Sequence, residues 1–488
     1  MRWEPVISLE IHVQLATETK MFCGDRAEFG AEPNSHVCPV CLGLPGALPV
    51  VNRRAVELGV RAALGLNCTV HTRSVFARKH YFYPDLPKGY QITQYDHPLA
   101  TDGWLEVRAS GADASRSAEP ASADDAAVRI RRLHLEEDAG KSLHDRFPER
   151  TAIDLNRAGV PLAEIVTEPD LRSPAAARAF LTRLKQTLEY LEIGDCDMEK
   201  GSLRVDANVS VRRVGDAEAG TKTEVKNLNS FANVEKALAY EVERQTDVLD
   251  GGGEVVHETR LWDERRGEAR PLRSKEELHD YRYFPDPDLP PLVLEAGMVE
   301  RSRRAMPELP GARVARFRDV YGLPAYDAEV LTATRALADY FEAVAREADD
   351  PKAASNWVMT EVLSWLNRHR VEIEAFPIPP GRLAELIGLV EAGTISASIA
   401  KKVFGQMGES GRAAAEIVRE QGLERIGDRD RLAAWADEAI AEHPEEAERY
   451  RGGETKLLGY FMGQVMKKSR GRADPRQAKA VLRERLGG

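Results

Sequence analysis

The stretch VISLEIHVQL, residues 6–15, alternates apolar and polar side chains along its length. A strand repeats every two residues, so Leu9, Ile11, Val13 and Leu15 share one face while Glu10, His12 and Gln14 share the other. The pattern predicts a strand with one face in a core. Its other face carries a carboxylate and an imidazole about 7 Å apart, two residues at ~3.3 Å each. SLRVDANVSVR, residues 202–212, repeats the arrangement, with Leu203, Val205, Ala207, Val209 and Val211 inward and Arg204, Asp206, Asn208, Ser210 and Arg212 outward. TKTEVKNLN, residues 221–229, sets Lys222, Glu224 and Lys226 on one face. HLEEDAGK adds Glu136, Glu137 and Asp138, and PLAEIVTEPD adds Glu164 and Glu168. A sheet with one apolar face and one face dense in Glu, Asp, His, Lys and Arg is a platform for metal–phosphate chemistry. Hard cations such as Mg²⁺ take carboxylate oxygens, and the phosphates they bridge take Lys and Arg.

RKHYFYPDLPKGYQITQYD, residues 78–96, sets Tyr81, Phe82 and Tyr83 among Lys79 and Lys88. Cations beside aromatic rings suit a phosphate and a stacked base, although aromatic-rich loops also serve as core packing. Three of the five cysteines cluster at Cys23, Cys38 and Cys41, and Cys68 and Cys196 stand alone as small buried apolar residues. Five cysteines in 488 residues do not make a disulfide scaffold, and their clustering points to a metal. Cys38 and Cys41 form a CxxC turn whose sulfurs reach one tetrahedral ion, with Cys23 as third thiolate. Asp25 and His36 are both near enough in sequence to be the fourth ligand of a structural zinc knuckle.

The length predicts two to four units at roughly 100–200 residues each. Up to about residue 292 the chain is rich in strand-like alternation broken by Gly and Pro. A small-residue insert, residues 109–127, reads as a surface hairpin loop between two strands. Proline-dense FPDPDLPPL, residues 284–292, marks a boundary. Beyond it the apolar period becomes 3.6, as in TRALADYFEAVAREA and KAASNWVMTEVLSWLNRH, and further helical stretches run to the C-terminus. The division expected is an α+β unit over residues 1–292, a helical domain over 293–404 and a helical tail over 405–488.

A net charge of −11 argues against a general nucleic-acid coat. The tail departs from that balance: after Gln464 stand Lys467, Lys468, Arg470, Arg472, Arg476, Lys479, Arg483 and Arg485, against only Asp474 and Glu484. Such a local excess suits phosphate-backbone contacts, with a solvated helix face as the plainer alternative. There is no GxxxxGK[ST] loop, GxGxxG turn or GxSxG elbow, so an ATP site here is neither P-loop nor Rossmann in type, and no glutamine-cleaving nucleophile is expected. No apolar run of about 18 residues occurs, and the start resembles neither a secretory signal nor a transit peptide. The expected address is the cytoplasm.

Taken together, LEIHVQL, MFCG, CPVCLGLPGALPVVN, RKHYFYPDLPKGYQI, RLHLEEDAGKS, DLNRAGVPLAEIVTEPD, GSLRVDANVS, EVKNLNSF, DYRYFPDPDLPPL, SNWVMTEV, ISASIAKKVF and LLGYFMGQVMKKSRGRADP resemble, in this order, the B subunits of the heterotrimeric tRNA-dependent amidotransferases. The resemblance spans essentially the whole chain. It implies a cradle domain related to glutamine synthetase, with a mostly antiparallel sheet, then two all-α domains, the last reaching tRNA through residues such as Lys467, Lys468, Arg470 and Arg472. It implies metal positions at Glu10, His12, the Glu136/Glu137 pair and Glu164, a phosphate-associated Lys79, and Asp206 in the acidic strand. ATP and Mg²⁺ would serve to phosphorylate the side-chain carboxylate of Glu-tRNA(Gln), Asp-tRNA(Asn) or both. Ammonia would come from a glutaminase A subunit, with a small C subunit tying the two together. Many members carry a cysteine where this chain has Asp25, which leaves the zinc set Cys23, Asp25, Cys38 and Cys41 as the departure. Two other readings are a related cradle subunit working only on Glu-tRNA with a different glutaminase, and a tRNA-binding scaffold with a vestigial site.

Overall fold

A computed structural model describes residues 3–107, 126–147, 149–272 and 282–487. The chain divides into two compact units, Met1–Ala312 and Arg313–Gly488. In the first, the expected strand runs over Trp3–Gln14 and lies near the middle of a sheet of nine strands among the described residues. It pairs antiparallel with Pro161–Thr167 on one side and Leu203–Arg213 on the other. Beyond Pro161–Thr167 come Ala126–Glu137, Ala100–Val107 and Thr69–Val70, and beyond Leu203–Arg213 come Thr223–Leu228, Thr259–Asp263 and Glu268–Pro271. All neighbours are antiparallel except Thr223–Leu228 and Thr259–Asp263, which run parallel. The helix Phe231–Asp250 lies between those two in sequence, as a parallel pair requires a crossover.

The alternation decides which face is core. Ile7, Leu9, Ile11 and Val13 are fully buried, and register sets Ile11 beside Val205 and Ile165 and Val13 beside Leu203 and Ala163. Three helices, Arg53–Gly65, Pro174–Tyr190 and Phe231–Asp250, contact this sheet. Each has a polar N-cap, Asn52, Ser173 or Ser230, whose side chain accepts from otherwise unpaired N–H groups of the first turn. Gly59 allows the first helix to lie close, since a Cβ there would come within 2.8 Å of Leu135 and 2.9 Å of Leu99. With the apolar face so covered, the polar side chains gather on the other.

The sequence places a boundary after Leu292, whereas the first unit continues to Ala312. The prolines of residues 284–292 sit where no central ladder donor is lost. Tyr283–Pro285 forms an edge strand against Ala77–His80, and Leu292–Val293 pairs with Arg73–Ser74. Asp286 is buried against Arg78, and Leu289, Leu294 and Met298 join the first core. The insert around residues 109–127 lies almost wholly outside the described residues, but the strands flanking it pair antiparallel.

Among the described residues the second unit is helical and holds two apolar clusters. One runs from Val314 to Val418 and the other from Leu432 to Leu486. The sequence division at 404/405 falls inside the helix Ala397–Ser410, whose Val403, Phe404 and Met407 belong to the first cluster together with Ile417 and Val418. No helix of the described residues is long and apolar enough to cross a membrane.

Candidate active site

Register turns the polar face into a grid. His12 stands between Arg204 and Glu164, Glu164 stands beside His134, and Glu10 stands between Asp206 and Val166. Directly opposed side chains of paired strands project to the same side, so these groups meet. His12 Nε2 lies 3.3 Å from Glu164 Oε2 and 3.6 Å from Glu136 Oε1. His134 Nε2 mirrors it, 3.3 Å from Glu164 Oε2 and 3.6 Å from Glu136 Oε2. Two carboxylates thus lie between two imidazoles.

The sequence left Glu136 and Glu137 undivided, and side-chain parity separates them. Glu136 shares a face with His134 and meets the cluster; it also accepts from the Thr93 hydroxyl at 3.0 Å. Glu137 points away and is committed to the Ile92 N–H at 2.7 Å and to Lys88. Asp206 pairs with Lys226 at 3.3 Å, Lys226 reaches Glu224 at 3.2 Å, and Asn208 donates to Glu10 at 3.2 Å. Asp138, buried, holds Gln14 and Arg204 at 2.9 and 2.8 Å. Lys79 lies in the middle strand of a three-stranded sheet, Tyr283–Pro285, Ala77–His80 and Tyr90–Thr93, and is directly opposed to Tyr283. In the loop that follows Ala77–His80, Phe82 is 83% exposed, which the core-packing alternative does not explain.

Charge is concentrated enough to move protonation equilibria. Burial raises Glu10, and the neighbouring carboxylates of Glu164, Glu224 and Asp206 raise it further. Burial alone would lower both histidines. The hydrogen bond and field of Glu164, with Glu136, reverse this for His12, and His134 is raised to about 9. Burial would raise Glu164, but the two imidazoles outweigh it and hold the carboxyl well below its usual range. A site that gathers imidazolium charge around carboxylates is one where a cation could take that charge's place. One donor atom each from His12, Glu136 and Glu164 lies within 4.8 Å of the others, and the oxygen-rich set suits a hard divalent ion.

The second cluster is Cys23, Asp25, Cys38 and Cys41, also with donor atoms within 4.8 Å. Cys41 Sγ lies 3.7 Å from Cys23 Sγ and 3.8 Å from Cys38 Sγ, and Asp25 Oδ2 is 3.2 Å from Cys41 Sγ. A tetrahedron with Zn–S bonds of ~2.3 Å has edges of about 3.8 Å, which the two sulfur–sulfur separations from Cys41 match. The donor group includes Asp25 and not His36. The buried Lys20, which sequence patterning does not single out, donates to the His36 carbonyl at 2.7 Å and to Cys41 Sγ at 3.4 Å. The hydrogen bond from Cys23 is the main cause that lowers Cys41 to about 6, with the Lys20 ammonium assisting. A thiolate at neutral pH is the form a metal takes. The lone Cys68 and Cys196 are buried, and burial pushes both thiols up to about 12.

In the tail the structure divides the basic quartet. Lys467 and Arg470 are exposed. Lys468 pairs with Glu442 at 2.6 Å and Glu438 at 3.3 Å, and Arg472 donates to the Gly422 carbonyl at 2.9 Å. His134 was not singled out from the sequence, although its signal was present: it stands two residues before Glu136 on one strand face.

Comparison with known proteins gives a consistent picture. A family model described as "GatB/GatE catalytic domain" matches residues 5–300, and one described as "GatB domain" matches residues 339–486. The chain is 51% identical over 488 residues to the B subunit of the aspartyl/glutamyl-tRNA(Asn/Gln) amidotransferase of Moorella thermoacetica, covering 100% of both chains. It is 51% identical over 489 residues to the protein of the same name from Halorhodospira halophila, again covering 100% of each.

Proposed function

The chain belongs to the GatB/GatE family, and from that premise we propose that it activates misacylated tRNA for amidation. The substrates are ATP and the side-chain carboxylate of Glu-tRNA(Gln), Asp-tRNA(Asn) or both. One carboxylate oxygen attacks the γ-phosphorus, the bond to the β-phosphate oxygen breaks, and ADP leaves. Ammonia then attacks the acyl carbon and expels phosphate, giving the amide. The intermediate is needed because oxide is a poor leaving group and phosphate a good one.

The observation that carries this reading is the convergence of His12, Glu136 and Glu164 on the polar face of the sheet, with Glu10 two residues before His12 on the same face. These residues would hold Mg²⁺, which when bound supplies positive charge to phosphate oxygens. Lys79 would meet the phosphate and Asp206 would fix Lys226 at the margin. His12, beside two carboxylates, fits a ligand better than a general base. Cys23, Asp25, Cys38 and Cys41 would hold a structural zinc. Lys467 and Arg470, with Lys468 and Arg472, would contact the tRNA backbone. A glutaminase A subunit and a small C subunit would complete a heterotrimer, with ammonia made elsewhere than in this chain, and the assembly would work in the cytoplasm.

The test is reconstitution. The chain combined with a glutaminase subunit and a small third subunit should convert Glu-tRNA(Gln) or Asp-tRNA(Asn) to the amide only with ATP. Amidation without ATP, or none on either tRNA with ATP hydrolysis intact, would reject the reading.

A further inference from the structure

A second group of side chains faces the carboxylate cluster from the three-stranded sheet. Strand pairing sets Tyr283 opposite Lys79 and Lys79 opposite Gln91, so these three share one face. Thr93, two residues beyond Gln91 on that face, donates its hydroxyl to Glu136, which turns the face toward the cluster. Tyr95 stacks on Tyr283 with ring centroids 4.0 Å apart and planes 9° from parallel. From the main sheet comes Arg132, on the polar face two residues before His134. Its Nη2 is 3.8 Å from Glu164 Oε1, beyond hydrogen-bond length, and its buried Nε has no hydrogen-bond partner among the described residues. The Tyr283 hydroxyl lies in the fields of Lys79, Glu164 and Arg132, and burial, first among its causes, keeps the phenol protonated.

A buried N–H left unpaired costs about 1–3 kcal/mol, so the distant ion pair with Glu164 does not by itself account for Arg132. We propose that Arg132 and the Tyr283 hydroxyl, with Tyr95 stacked behind, form an oxyanion-binding corner beside Lys79. The corner takes a substrate oxyanion: the terminal phosphate of ATP or the aminoacyl carboxylate it is transferred to. This rests on the proposed function. Both ligands bring negative charge toward Glu10, Glu136 and Glu164, where like charges repel. A planar guanidinium offers either one two parallel N–H donors, and the phenol offers a third donor from a ring that its stacked partner holds in place.

The experiment uses the assembled complex with ATP and each charged tRNA varied separately. Arg132→Gln removes the charge, Arg132→Lys keeps it without the fork, and Tyr283→Phe keeps the stack without the hydroxyl. The expected result for Arg132→Gln is a KM raised about tenfold or more for one substrate and less than threefold for the other, the size of a lost hydrogen bond to a charged group. Arg132→Lys should recover part of that loss and Tyr283→Phe should raise the same KM. A selective rise for ATP assigns the corner to phosphate, and one for charged tRNA assigns it to the carboxylate. Unchanged KM values, or equal losses for both substrates accompanied by a lower Tm, would overturn the proposal. Wild-type complex that fails to amidate with ATP would instead reject the functional reading itself.

Discussion

Glu164→Gln isolates the electrostatics of the site while keeping the side chain's shape. Glu164 Oε2 lies 3.3 Å from both imidazoles. Burial is the largest influence on His134 and lowers it, yet the field of Glu164, with its hydrogen bond and those of Glu136, raises the ring to about 9. Against an ordinary value of about 6.5 this is roughly 2.5 pH units, or ~3 kcal/mol at about 1.4 kcal/mol per unit. A folded value above the unfolded one means this stabilisation is fully present below pH ~6.5 and is lost as pH rises through about 9. In chelator-treated protein the His134 ring resonance should therefore titrate near pH 9, and Tm should fall between pH 6.5 and 9. Glu164→Gln leaves Glu136 alone against the same burial, so His134 should titrate at least about one unit lower and the Tm slope should flatten. Adding Mg²⁺ to the unmodified chain should shift the titration in the same direction, because a cation among the carboxylates replaces imidazolium charge. A His134 titration unmoved by Glu164→Gln would refute this account of the cluster.

Three further outcomes are expected. In the helical unit, burial disfavours ionised Glu342, but hydrogen bonds from Arg316 and Arg313 hold it near 2. That depression, roughly 3 kcal/mol, stabilises above pH ~4.5 and is lost as pH falls through about 2, so Glu342→Gln should lower protection of helix Arg335–Glu347 in hydrogen exchange by about this much at pH 7. Metal analysis should find about one zinc per chain, lost in Cys38→Ser with Cys41→Ser; zinc retained at full stoichiometry in Asp25→Ala would point to His36 or an outside ligand. Neutralising Lys467 and Arg470 should flatten the salt dependence of tRNA affinity more than neutralising Lys468 and Arg472, which are engaged within the chain; equal, unchanged slopes would return the tail cations to the role of a solvated face.

The main sheet was legible because its strands carry strict alternation, and burial of one side forbids a one-residue slip. That same parity, applied to HLEED, separates Glu136 from Glu137 and admits His134, so part of the site was available but unread. Cross-strand neighbours were not available. Nothing in the sequence sets Arg132 near Glu164 or Lys20 beneath Cys41, because these meetings depend on pairing between segments far apart in the chain. The proline-rich stretch misled for a related reason. Proline breaks a central ladder but is accepted on the edge strand Tyr283–Pro285, and composition does not reveal which edge a segment will join.

The most direct test of the site is single-turnover transfer of labelled γ-phosphate from ATP to tRNA-borne carboxylate by the assembled complex carrying His12→Ala, at limiting Mg²⁺. His12 stands between Arg204 and Glu164 on the strand Trp3–Gln14, near the middle of the sheet. Loss of a group that stabilises transferring charge predicts a fall of roughly a hundredfold or more, with glutaminase activity and circular dichroism unchanged. Transfer at near wild-type rate would contradict the assignment of the cluster to phosphoryl-transfer chemistry.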